Sequence, residues 1–365
     1  MPAVLEAVPN FSEGRDRSLI DRLAAGDGVL DLHADRDHHR SVVTLADCRA
    51  ERLVDSVLSR VALAVERIDL RMHKGLHPRV GVADVVPLVP LGSATMDEAM
   101  AAARQLADRI WCELCVPVCF YGAMANSRRL AEIRRGGIAP DVGDRPHPSA
   151  GVCCVGSRPP LVAYNLVFEL PRQRVVEVAA AMRLLPGVQA LTLPLPDGRS
   201  QLSLNLTRLE ETDVSRSFSE ATRLAGTEPV PELVGLCPAA AAGPGCDGGL
   251  LEARLAAAAA RQGAAAARGR GGDEHALLAS RMDAAARGLE RLTSGQEALL
   301  AGAEQAVALR RVLAAAGLGG ECALAMLQVA AEGMRAALGA ALAGRFGSRL
   351  ALVDRWLAED QKPRT

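Results

Sequence analysis

Three short stretches concentrate the side chains able to do chemistry. HKGLHPR, residues 73–79, holds two histidines four apart, flanked by Lys74 and Arg79. On a helix that spacing would put both imidazoles on one face, but Gly75 and Pro78 argue for a loop. An imidazole between cations is kept neutral, and so can accept a proton near pH 7. DLHADRDHHRS, residues 31–41, packs three histidines and three aspartates into eleven positions. Within it Arg40 has the fork to hold a carboxylate, Asp35 can orient an amine, and His39 lies beside them. Adjacent His38 and His39 diverge on an extended chain, which favours anion and amine recognition over a metal. PNFSEG, residues 9–14, follows a short apolar run and offers Asn10 and backbone amides to a carboxylate. Its plainer reading is a turn in which Ser12 caps a helix. His77, Asn10, Asp35, His39, Arg40, Lys74 and Arg79 are therefore the candidates read from residue type and spacing. No metal site is expected.

The elements that must position them alternate. Strand-like runs at 4–8, 28–33, 41–45, 80–88, 116–121, 151–155 and 161–168 are interleaved with helical spacing over 17–25, 50–69 and 96–114. The alternation continues through 172–183, 188–193, 201–206 and 213–224. This is α+β material, an α/β sandwich of two sheet-containing lobes compatible with ferredoxin-like halves. Composition shifts after Pro238 to an alanine- and glycine-rich stretch holding one helix. Four helical patterns follow, over 274–292, 296–316, 320–343 and 348–359, and short connections predict a small bundle. The expected division is 1–170, 171–240, a linker at 241–273, and the bundle at 274–365.

Composition removes several classes. The 365 residues carry 42 basic and 43 acidic side chains, a net charge of −1, and only 2% aromatics. A general nucleic-acid binder would show a basic excess or stacking platforms. No apolar run approaches the ~18 residues of a membrane span, and the start shows no secretory pattern, so a cytoplasmic protein is expected. Nine cysteines at irregular spacing read as free thiols, and Cys112, Cys115 and Cys119 as small buried apolar side chains. Only Lys74 and Lys362 are lysines, which sets Lys74 apart.

VPNFSEGR, the DxDxHHRS loop, HKGxHPRVGxxDVVPxxP, the VPVxxYG strand and PDxG…HPSAG…VGxRxxLxAYN occur in this order. Together they resemble the formiminotransferase domain of the glutamate formimidoyltransferase family, from about residue 4 to residue 238. The resemblance implies an enzyme that moves a formimidoyl group from N-formimidoyl-L-glutamate to N5 of tetrahydrofolate and releases glutamate. It puts the catalytic histidine at His77, an acidic residue near the pterin at Asp35, and a folate-binding segment at 143–151, with Gly143, His147, Ser149 and Gly151. Tetrahydrofolate is then a co-substrate bound in a cleft between the lobes, and a homodimer is the expected assembly. The alternatives are a formyl group as cargo, or a non-catalytic folate- or metabolite-binding protein whose helical tail docks a partner. GPGCDGG at 243–249 does not reproduce the Pro-Gly-Gly-Gly-Ser segment of the cyclodeaminase domain found in vertebrate relatives, so that second activity is not expected.

Overall fold

The computed structural model describes residues 2–126, 128–338 and 343–360. They divide into two compact units, Ala3–Pro160 and the chain from Leu161 onward. No described helix is long and apolar enough to cross a membrane.

The first unit runs β1 (Ala3–Ala7), β2 (Asn10–Phe11), α1 (Arg17–Leu23), β3 (Val29–Asp35), β4 (Arg40–Asp47), α2 (Ala50–Arg67), β5 (Ala83–Gly92), α3 (Met96–Leu114), β6 (Val118–Gly122), α4 (Leu130–Arg134) and β7 (Cys153–Ser157). Its seven strands form one sheet. β4 carries β3 on one side and β1 and β2 on the other, all antiparallel. β5 joins β1 antiparallel and β7 parallel, and β6 closes the far edge parallel to β7. The helical spacing of Leu53, Val57, Val61 and Ala64 turns one face of α2 inward. Leu106 and Ile110 of α3 join the same core against Val86 and Leu88. Thr95 and Glu98 close a reciprocal capping box that starts α3 sharply. The other face of β5 is covered around Val85 by Tyr121, Ile133 and Cys154, so this strand is buried on both sides. That explains its near-continuous apolar run.

The second unit begins with β8 (Val162–Phe168), α5 (Arg172–Met182), β9 (Val188–Pro194), β10 (Ser200–Leu206), α6 (Val214–Ala225) and β11 (Val230–Val234). The strands lie in the order β11-β8-β10-β9, all antiparallel. The break between units falls at 160/161 rather than 170/171, because β8 is the strand on which β10 and β11 both pair. Five helices follow: α7 (Leu251–Arg270), α8 (Asp273–Leu289), α9 (Gln296–Ala315), α10 (Glu321–Ala337) and α11 (Ala343–Asp360). The stretch expected to be a linker is mostly α7, whose Ala256, Ala257, Ala259, Ala260, Ala264 and Ala267 are fully buried. α7 packs on α8 and α10, and alanine allows that close approach. Its start is tied to the sheet: the Leu251 amide donates to the Cys237 carbonyl, and the Tyr164 hydroxyl to the Pro244 carbonyl.

Candidate active site

After β1, Val8 and Pro9 leave the strand, and the chain re-enters the sheet as β2 through an irregularity at Asn10 and Phe11. The Asn10 amide nitrogen donates to the Val8 carbonyl at 2.7 Å, which turns its side-chain oxygen toward β4. There it accepts from Arg40 Nε at 3.1 Å and Nη2 at 2.9 Å. Ser12, fully buried, donates to the Gly81 carbonyl and pins this turn to the chain entering β5. Gly14 leaves no room for a side chain: a Cβ there would sit 2.0 Å from the Asp35 carbonyl oxygen.

The hub of the site is Asp84 on β5, with no exposed surface. Its Oδ1 accepts from the Val80 amide at 2.7 Å, closing the end of the His73–Arg79 loop. Its Oδ2 accepts from Arg40 Nη1 and from Arg134 Nη2, each at 2.7 Å. Burial alone would raise the Asp84 pKa, but the two guanidinium charges outweigh it and hold it at about 2.

His77 stands beside this network, its Nδ1 3.2 Å from Arg40 Nη1 and 2.7 Å from the Pro78 carbonyl oxygen. A carbonyl only accepts, so the shorter contact is a hydrogen bond in the tautomer that carries its proton on Nδ1. The Nε2 lone pair is then left free to take a proton. Burial, followed by the charges of Arg40 and Arg134, pushes the His77 pKa down to about 2, so the ring is neutral at physiological pH.

Arg79 is the keystone of the loops. Its Nε and Nη2 donate to the His77 carbonyl, its Nη1 to that of His39, and its Nη2 also to that of His38. Burial and the neighbouring Arg40 bring its pKa down to about 10. Gly75 makes the approach possible, since a Cβ there would meet the His38 carbonyl oxygen at 2.4 Å. His39 adopts a left-handed backbone (φ 52°), and its Nδ1 accepts from the Gly14 amide at 3.0 Å. The rings of His39 and His73 lie 4.0 Å apart. Burial lowers both pKa values, that of His73 to about 4, where Arg79 adds to the effect. Asp35 turns inward on its own loop, its carboxylate accepting from the Asp37 and His38 amides and lying 2.6 Å from His38 Nδ1. Burial opposes its charge, yet these hydrogen bonds hold its pKa at about 2.

Asn10, Arg40, Arg79 and His77 are thus brought together, with His39 and Asp35 on the adjoining loop. Lys74 is exposed and, among the described residues, makes no hydrogen bond or ion pair with them. The segment 143–151 divides. His147 and Gly151 exchange backbone hydrogen bonds at 2.9 Å, and His147 Nδ1 accepts from the Ala150 amide at 3.0 Å. This turn abuts the His77 loop: the Ser149 carbonyl accepts from the Leu70 amide, and Gly151 (φ 72°) lies so close to Val80 that a Cβ would be 2.2 Å from its carbonyl oxygen. Gly143 packs instead on Trp111 and Pro117. Asp84 and Arg134 were not among the residues singled out from sequence. An aspartate inside the apolar run of residues 80–91 was the available signal for the first, whereas Arg134 is one of many arginines. Of the cysteine cluster, Cys119 is buried as expected, but Cys112 and Cys115 are exposed at the end of α3.

Residues 4–158 match the formiminotransferase domain, N-terminal subdomain. A glutamate formimidoyltransferase of Streptococcus pyogenes is 34% identical over 273 residues, covering 66% of this chain and 91% of that relative. One from Thermoplasma acidophilum is 35% identical over 270 residues, covering 65% and 88%. A formimidoyltransferase-cyclodeaminase of Sus scrofa is 32% identical over 275 residues, which is 65% of this chain and 51% of the relative.

Proposed function

The chain belongs to the glutamate formimidoyltransferase family, and on that premise we propose that it transfers the formimidoyl group of N-formimidoyl-L-glutamate to N5 of tetrahydrofolate. The observation that supports this most is the His77 imidazole, held neutral by burial and by Arg40 and Arg134, with its Nδ1 2.7 Å from the Pro78 carbonyl oxygen. In the reaction, N5 attacks the amidine carbon and its proton passes to Nε2. The same proton is then delivered to the glutamate nitrogen as its bond to that carbon breaks. Formimidoyl-folate and glutamate leave, and the imidazole returns to its starting state. Acid–base catalysis of this kind contributes about 10²–10⁴-fold, the rest coming from holding two substrates in line. The chemistry requires no metal, and tetrahydrofolate enters as co-substrate.

Asn10, Arg40 and Asp84 hold the imidazole's surroundings rigid, and Arg79 fixes the loops carrying His38, His39 and His77. The turn His147–Gly151, with Ser149, is our candidate for folate contact because it abuts the His77 loop; Gly143 would act by shaping the preceding segment. Lys74, exposed at the loop tip, is free to meet a substrate carboxylate. We read both sheets as ferredoxin-like: β1-α1-β3-β4-α2-β5 and β8-α5-β9-β10-α6-β11 share one element order and one strand arrangement. Incubating the full chain with N-formimidoyl-L-glutamate and tetrahydrofolate tests the proposal. Glutamate release that depends on both substrates is expected; release without folate, or none, would overturn it.

A further inference from the structure

We propose that Arg134 receives a carboxylate of the formimidoyl donor, an inference that rests on the transfer reading above. Arg40 and Arg79 are the other arginines nearest His77, but their hydrogen-bond donors are taken up within the protein. All three nitrogens of the Arg40 guanidinium are engaged, two by Asn10 and one by Asp84. Those of Arg79 are spent on the carbonyls of His38, His39 and His77. Lys74 makes no contact with the Asp84 network.

Arg134 is the exception. Among the described residues only its Nη2 has a partner, Asp84 Oδ2, and its Nε is buried with none. Its side chain is 19% exposed, which leaves it reachable. Charge counting points the same way. Arg40 and Arg134 share a single carboxylate oxygen, so two cations face one anion. A buried cation in excess calls for an anion, and a carboxylate is the planar partner that a guanidinium fork takes best. Such an anion would also oppose the cationic field at His77. Donor binding would thereby raise the imidazole's proton affinity at the moment it must act as a base.

The test compares wild type and Arg134→Gln on N-formimidoyl-L-glutamate and on its two monoamides, the formimidoyl derivatives of glutamine and isoglutamine. Losing a charged hydrogen bond should raise KM for the donor about 10- to 100-fold and leave KM for tetrahydrofolate within about 3-fold. Wild type should reject one monoamide by a similar factor, and the variant should lose that discrimination. Which amide it is identifies the carboxylate held. A fall in kcat with KM and discrimination unchanged would overturn the proposal in favour of pure positioning. So would a variant that loses only the preference for tetrahydrofolate over tetrahydropteroate, which lacks the glutamate tail. Should Arg134→Gln fail to fold, Arg134→Lys carries the same comparison, with discrimination reduced rather than abolished. Calorimetric binding of the donor and its amides separates this inference from the transfer reading. Arg134-dependent carboxylate binding by a protein that transfers nothing would sustain the first and sink the second.

Discussion

Replacing Asp84 by asparagine removes one negative charge and almost no volume from the centre of the first unit. The carboxylate is fully buried and pairs with two guanidiniums through the same oxygen, so an amide in its place would turn its NH₂ group either toward both of them or toward the Val80 amide. The fall of its pKa from 3.8 to about 2 corresponds to about 2 kcal/mol of stability at neutral pH. A pKa depressed by folding stabilises above the unfolded value, and that stability is lost as pH falls through about 2. Leaving buried cations without their partner costs more, about 3–5 kcal/mol. With a urea slope of ~2 kcal/mol/M, the unfolding midpoint should drop by about 1.5–2.5 M. The chain has two tryptophans, Trp111 on α3 in the first unit and Trp356 on α11 in the second. A Trp356→Phe background therefore makes fluorescence report on the first unit alone. The deficit of Asp84→Asn should stay constant from pH 8 to pH 5 and shrink only below about pH 4. A midpoint shift under about 0.5 M, or a deficit that varies between pH 5 and 8, would refute the assignment of Asp84 as the charge hub.

Because burial and the Arg40 and Arg134 charges hold the free His77 pKa at about 2, protonation of this imidazole should not limit kcat/KM anywhere between pH 5 and 8. An acid limb near pH 6.5 that disappears in His77→Gln would contradict this. Gly75→Ala should unseat the loop, since its Cβ would collide with the His38 carbonyl oxygen and crowd Arg79 Nη2 and His39 Cβ. We expect turnover to fall at least 10-fold while the urea midpoint moves little, and full activity would show that the loop adjusts freely.

Most of the fold was legible because burial and periodicity agree. The pattern of residues 96–114 matches α3 residue for residue, and the apolar stripe of residues 50–69 becomes α2. β11 escaped notice because Pro231 lies inside it, and proline cannot donate to a sheet ladder. As an edge strand paired only to β8, β11 tolerates it. The α7 segment looked like a helix within a linker because alanine carries little hydrophobic signal, and its burial depends on tertiary packing by α8 and α10. At the site, the loops bearing His77, Arg40 and Asn10 were visible from residue type and spacing. Which cation is already occupied was not, because that depends on contacts such as Arg40 with Asn10 and Arg79 with three carbonyls, between residues up to 41 positions apart. Lys74 drew attention by its rarity, yet rarity reflects composition, and the structure leaves it exposed.

In the proposed transfer one imidazole carries a proton between the two substrates as the group moves. This is tested most directly by giving wild type and His77→Gln a donor labelled with ¹³C in its formimidoyl carbon and following that carbon by mass spectrometry. Wild type should place the label on tetrahydrofolate, one for each glutamate released. His77→Gln should do so about 10²–10⁴-fold more slowly while binding tetrahydrofolate within a few-fold of wild type. Glutamate released with no label on the folate, or equal rates for the two proteins, would contradict the account.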